Sequence, residues 1–183
     1  MRAERLSRDM GFDLRWVAFP LHPETPQEGR RLADLFAGRL DMLERMKQHL
    51  VVRAEQLGVE MADRSMTWNS RAASELAVWA EEIGRGWEFH RAVYRAVFVD
   101  GRNIAEIPVL ETLAGTAGLP TEQVKTILEE GRYARQIDNE WDLCRRLDLT
   151  AVPTFDNGRD RLTGYVDDER FEAFCRPLAG TRS

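Results

Sequence analysis

The sequence predicts an α/β chain in which a few short strands flank a long helical block. Three observations carry that prediction. Phe12-Asp13-Leu14-Arg15-Trp16-Val17-Ala18-Phe19 alternates apolar and polar residues through Trp16, the signal runs helical from Arg31 to Gly131, and two short apolar runs bracket Asp156-Asn157-Gly158.

The chain opens in mid-helix, with Leu6 as its apolar contact and Met10-Gly11 as its stop, glycine being the natural C-terminal cap. The alternating stretch over 12–19 is rich in aromatic residues and reads as a strand. Pro20, Pro23 and Pro26 then remove backbone donors and fix φ, so 20–29 is a stiff loop. Asn69 or Ser70 can cap a helix in which Ala73, Leu76, Ala77, Ala80 and Ile83 share a face, and Gly84 ends it. The next helix, Trp87 to Val99, is apolar on more than one side and is expected to be buried between neighbours. Its aromatics, with Trp79, read as core rather than as a cofactor box. Two shorter helices near 108–117 and 121–130 follow, the second with Thr121 as N-cap. From Arg132 to about Leu147 a helix carries Tyr133, Ile137, Trp141 and Cys144 on one face. Thr150–Phe155 and Leu162–Val166 read as strands joined by a tight Asn-Gly hairpin, and a final helix begins near Asp167.

Composition bounds what the chain can be. Hydrophobic residues make up 43% of 183, the ordinary globular proportion, which excludes collagen-like, low-complexity and disordered classes. Two cysteines, Cys144 and Cys175, are too few for a disulfide scaffold or a four-thiolate zinc site, and no Cys-x-x-Cys exists. The net charge of −5 offers no electrostatic footprint for nucleic acid. No run approaches the roughly 18 apolar residues of a membrane span. Met1-Arg2-Ala3-Glu4-Arg5-Leu6 lacks the apolar core of a signal peptide, so a cytoplasmic location without nucleic-acid or membrane partners is expected. His49 and His90 lack metal-ligand spacing, and no phosphate loop, nucleophile elbow or His-Glu-x-x-His is present.

Three stretches sharpen the fold class: Phe19-Pro20-Leu21-His22-Pro23-Glu24-Thr25-Pro26, Phe98-Val99-Asp100-Gly101-Arg102-Asn103-Ile104 and Val152-Pro153-Thr154-Phe155. In that order they resemble FrnE-like proteins and their relatives, the 2-hydroxychromene-2-carboxylate isomerases, in the DsbA-like branch of the thioredoxin superfamily. The resemblance implies a thioredoxin-like fold, first half 1–30 and second half 132–183, with a helical insertion over 31–131 and the first strand missing. The family's Cys-x-x-Cys sits at a helix N-terminus, where the dipole favours a thiolate. Glu4-Arg5-Leu6-Ser7-Arg8-Asp9-Met10-Gly11 resembles the segment just after that motif. The expectation is therefore that Met1 is an internal methionine of the first helix, with strand and redox motif upstream. The competing reading is a genuine short form that is redox-dead. An in-frame Cys-Pro-x-Cys before the Met1 codon would support the first, and an in-frame stop there would sink it.

By resemblance, Pro153 is a cis-proline, and the backbone of Val152 before it pairs with extended substrate, so Val152, Pro153 and Thr154 are expected at the substrate site. His22, held between Leu21 and Pro23, is a candidate for the rim, although loop shape is its plainer role. Asn69 resembles an Asn bordering the family's cleft and is equally well explained as a helix cap. Cys144 lies at helical spacing with Ile137 and Trp141, and Cys175 with Phe171, Phe174 and Leu178, so both read as inert core thiols. A Cys144–Cys175 disulfide stays open as an alternative. No catalytic residue is assigned within the chain. The resemblance implies a thiol–disulfide oxidoreductase acting on thiol- or disulfide-containing proteins, as a monomer or homodimer. A glutathione-dependent isomerase and a redox-dead binding domain are the alternatives. No resident cofactor is expected, and glutathione is the candidate co-substrate.

Overall fold

The structure, a computed structural model, describes residues 2–178. Its elements run α1 (Arg2–Met10), β1 (Arg30–Arg31), α2 (Leu32–Leu35), α3 (Leu40–Gln56), β2 (Met66–Thr67), α4 (Arg71–Glu82), α5 (Gly86–Phe98), α6 (Ile107–Thr116), α7 (Val124–Glu129), α8 (Ala134–Arg146), β3 (Thr154–Asp156), β4 (Arg161–Thr163) and α9 (Asp168–Cys175). The chain divides into two compact units, residues 1–21 with 138–183 and residues 22–137. Met1 lies outside the described residues, as does the side chain of Leu178 in the predicted Cys175 stripe.

In the first unit, α1 and α9 close over the β3–β4 hairpin. Ala3, Leu6, Phe12, Leu162, Val166, Phe171 and Cys175 form one buried cluster. The hairpin pairs Thr154 with Thr163, Phe155 with Leu162 and Asp156 with Arg161. The Arg161 guanidinium and the Gly158 N–H hold the Asp156 carboxyl below the usual carboxylate range. The Asn-Gly pair does not make the expected two-residue turn. Asn157 Oδ1 instead accepts from the backbone N–H groups of Arg159 and Asp160, and this spreads the loop over 157–160.

The predicted strand over 12–19 is the main departure. Its alternation is real, for Phe12 is buried and Leu14, Trp16 and Ala18 are half-buried, while Asp13, Arg15 and Val17 are exposed. Yet it forms no ladder among the described residues. Side-chain alternation is written locally, whereas a ladder requires a neighbouring strand whose register the segment itself cannot specify. The other two predicted strands are likewise cut short, one beginning at Thr154 rather than Thr150 and the other ending at Thr163 rather than Val166.

The second unit is a helical body. Leu76, Ala80, Phe89, Ala96, Leu110, Ala114, Val124, Ile127 and Ile137 are all fully or almost fully buried, and among them Leu76, Ala80 and Ile137 lie on faces read from the sequence. Ile83 and Tyr94 depart from that reading and are exposed. The long helix α3 buries only Ala54. One small ladder interrupts the otherwise helical block, β1 against antiparallel β2, with Arg30 opposite Thr67 and Arg31 opposite Met66. Thr121 does not cap its helix with its side chain; it opens a turn of 3-10 helix after Pro120. Among the described residues no helix is long and apolar enough to cross a membrane.

Candidate functional site

The sequence-predicted site residues fall in both units: Val152, Pro153 and Thr154 in the first, His22 and Asn69 in the second. The Val152–Pro153 peptide bond is cis. Two hydrogen bonds fix the loop that carries it. Thr154 Oγ1 donates to the Ala151 carbonyl at 2.7 Å, and the Gly164 N–H donates to the Pro153 carbonyl at 2.8 Å. Gly164 takes φ +79°, a left-handed conformation that glycine adopts without a Cβ penalty. Between these anchors Val152 is 49% exposed, and its N–H and C=O have no partner among the described residues. The result is a rigid edge with one free donor and one free acceptor.

In the second unit the structure brings His22 and Asn69 together on Thr25. The Thr25 N–H donates to the His22 carbonyl at 3.1 Å, and Asn69 Nδ2 donates to the Thr25 carbonyl at 2.7 Å. Asn69 Oδ1 meanwhile accepts from the Arg71 N–H at 2.9 Å, satisfying the first N–H of α4 from one residue before its N-cap, Ser70, so one side chain serves both contacts. His22 Nδ1 lies 3.8 Å from Glu24 Oε1. Asn103 Nδ2 anchors the same loop by donating to the Gln27 carbonyl at 2.9 Å.

Neither thiol is placed for chemistry. Cys144 and Cys175 are unpaired and buried, at 2% and 3% exposure. Burial, and then the Glu140 charge, push the Cys144 thiol up from its ordinary range, and burial does the same to Cys175. A raised pKa leaves the neutral thiol in place at neutral pH, and the thiol is a poor nucleophile. Among the described residues no group of His, Cys, Asp and Glu side chains could hold a metal ion.

Sequence reasoning missed Glu140. It is 4% exposed, accepts from the Ala18 N–H through Oε2 at 2.7 Å, and lies 3.6 Å from Arg15 Nη2 through Oε1. One turn on, Cys144 Sγ donates to the Ala18 carbonyl at 3.6 Å. Two α8 side chains thus satisfy both backbone groups of Ala18, the work a neighbouring strand does in a sheet. The signal was present in the sequence: Glu140 is a carboxylate between Ile137 and Cys144 on an otherwise apolar stripe. Glu140→Ala is expected to destabilise the protein by about 1–3 kcal/mol, because the Ala18 donor loses its acceptor. Glu140→Gln keeps an acceptor oxygen and is expected to cost much less. Urea denaturation of both variants tests this, and an Ala midpoint equal to wild type would show that the carboxylate does not hold the 12–19 segment.

With this geometry in view, the comparisons with known proteins decide the family. Residues 1–175 match the DSBA-like thioredoxin domain family. The chain belongs to it. The Bacillus subtilis (strain 168) protein YwbO, itself uncharacterized, is 32% identical over 122 residues, a match spanning 65% of this chain and 61% of that one. A crystal structure of a probable DsbA oxidoreductase from Streptomyces coelicolor superimposes on all of this chain and 85% of its own, with TM-score 0.80 at 22% identity. Another, from Nitrosomonas europaea and named as a candidate protein disulfide isomerase, matches 80% of this chain and 76% of its own, with TM-score 0.61 at 15% identity. At such identities the two structures establish the DsbA-like fold alone. The strands of this DsbA-like chain are few and short, and it is mostly helical.

Proposed function

We propose that this DsbA-like chain supplies the substrate-holding edge of a thiol–disulfide oxidoreductase site, with Val152 pairing its backbone with an extended polypeptide that carries a thiol or disulfide. The observation that carries this reading is the unpaired, exposed backbone of Val152 in a loop pinned on both sides. Strand addition of this kind draws affinity from main-chain hydrogen bonds, which tolerates many substrate sequences. Family membership supports the reading. So does the likeness in fold to the Streptomyces coelicolor protein, a probable DsbA oxidoreductase.

Thiol–disulfide exchange needs a thiolate to attack one sulfur of a substrate disulfide, form a mixed disulfide and release the other sulfur as thiolate. Cys144 and Cys175 are too buried to be that attacking group, so in this reading they pack the fold and the attacking thiol is another one. His22 and Asn69 set the shape of the 22–29 loop rather than handle protons.

Two measurements on the 183-residue chain test this. Insulin disulfide reduction is expected at background, and robust turnover would mean that Cys144 or Cys175 is reactive after all. An extended, disulfide-capped peptide is expected to shift the amide resonances of Val152 and Thr154. N-methylation of its pairing residue removes one donor and is expected to weaken binding about tenfold, the upper worth of one net hydrogen bond. Equal affinity for both peptides, or shifts elsewhere only, would overturn the pairing.

A further inference from the structure

The Asn157-Gly158 pair carries chemistry that the thiol reaction does not use. It is the Asn-Gly pair of the chain, since Asn69, Asn103 and Asn139 precede Ser, Ile and Glu. The Gly158 nitrogen can attack Asn157 Cγ and close a succinimide ring, because a glycine has no Cβ to obstruct the approach. The Gly158 N–Asn157 Cγ bond forms and the Asn157 Cγ–Nδ2 bond breaks, and the amide proton of Gly158 joins the departing NH2 to give ammonia. Water then opens either carbonyl of the ring, leaving aspartate or isoaspartate. The reaction needs no oxidant, metal or second protein.

In the folded chain the groups of that reaction are committed elsewhere. The Gly158 N–H donates to Asp156 Oδ1 at 2.7 Å, so the electron pair released on its deprotonation faces a carboxylate instead of Cγ. Asp156 is held ionised by the Arg161 guanidinium at 2.8 Å, and its charge opposes the amide anion that would attack. Asn157 Oδ1 accepts from the Arg159 and Asp160 N–H groups at 3.0 and 2.8 Å, and Nδ2 donates to the Phe174 carbonyl at 3.1 Å. Ring closure requires the side-chain amide to turn out of these contacts. Gly158 itself is exposed, so hydrogen bonds rather than packing hold the loop around it.

The product cannot remake the same contacts. Phe174 lies in the last turn of α9, where carbonyls lack an intrahelical donor, and Pro177, three residues on, has no N–H to offer. Asn157 Nδ2 supplies a donor there. An aspartate at 157 instead sets an acceptor and a negative charge against that carbonyl, at the helix end where the dipole favours cations. An isoaspartate also routes the main chain through the former side chain. The added backbone atom displaces the register in which Phe155 faces Leu162.

We propose that Asn157 is a self-modification site gated by the fold: succinimide formation proceeds from the opened 156–160 loop, and its aspartate or isoaspartate product does not restore the contact with α9. The rate then follows the fraction of time the loop is open. The hairpin whose first strand follows the Val152–Pro153 bond ages by this route. The inference rests on the bonds of the loop alone and stands whether or not Val152 pairs with substrate.

The test follows conversion at Asn157 in the 183-residue chain, folded and in urea above its unfolding transition, at one pH and temperature. Mass spectrometry of the tryptic peptide spanning 147–159, which holds no other Asn or Gln, reads the conversion, and chromatography separates the two acid forms. The unfolded chain is expected to convert, and the folded chain at least about tenfold more slowly, the upper worth of one net hydrogen bond. Asp156→Ala releases the Gly158 N–H and is expected to raise the folded-state rate about two- to tenfold. Asn157→Asp is expected to lower the urea midpoint. If either variant does not fold, the comparison of folded with unfolded wild type decides. The proposal is overturned if the unfolded chain leaves Asn157 intact, if the folded chain converts as fast as the unfolded one, if folded Asp156→Ala converts more slowly than wild type, or if Asn157→Asp unfolds at the wild-type midpoint.

Discussion

Phe171→Ala is expected to lower the stability of the chain by about 3–5 kcal/mol, the usual range for deleting a buried aromatic ring. Phe171 is 2% exposed and sits in the cluster that joins α1, β4 and α9. Its ring centre lies 4.6 Å from that of Phe155 and 6.5 Å from that of Phe174, so truncation removes two aromatic contacts along with the buried area. On another side the Arg2 guanidinium lies 4.4 Å from the ring centre. Arg2 is held there by its donation to the Val166 carbonyl at 2.7 Å and its ion pair with Asp168 at 2.9 Å. Loss of the ring therefore loosens α1 as well as α9. Urea denaturation followed by circular dichroism measures the effect, and a loss below about 1 kcal/mol would mean that the cluster collapses to fill the space. Phe171→Leu retains most of the volume and is expected to recover part of the loss.

Half of that arrangement is legible in the sequence. Phe171, Phe174 and Cys175 stand at helical spacing, which identifies the buried face of α9 without any structure. The guanidinium over Phe171 is not legible, because it comes from a residue at the far end of the chain and depends on where α1 docks. The segment over 12–19 divides the same way. Alternation reports which side chains turn inward, and Phe12, Leu14, Trp16 and Ala18 do so. It cannot report what satisfies the backbone, and at Ala18 the answer is Glu140 and Cys144 rather than a strand. Around the candidate site, the cis bond at Val152–Pro153 follows from the family resemblance, and the contact of Asn69 with the start of α4 from local chemistry. The free backbone at Val152 is legible in neither way, since it is defined by partners it lacks.

Gly29→Ala is the other substitution expected to have a large effect, and its cost has two separable parts. Gly29 takes φ +83°, where an L side chain costs about 1–2 kcal/mol. A Cβ at that position would also overlap Trp68 Cε3 and stand 2.8 Å from the Thr67 carbonyl oxygen. The ring cannot easily give way, because Thr67 is paired with Arg30, the residue after Gly29, and Asn69 is tied to the Thr25 carbonyl. Overpacking of that sort adds about 1–3 kcal/mol, so the sum is about 2–5 kcal/mol, read as a fall in the urea midpoint. A double-mutant cycle separates the parts. In a Trp68→Ala background the ring is gone, and Gly29→Ala should cost less than in wild type, leaving the backbone strain of about 1–2 kcal/mol and the close approach to the Thr67 carbonyl oxygen. The same cost in both backgrounds would mean that the indole moves freely, and that the 22–29 loop is held by Asn69, Asn103 and the short ladder alone.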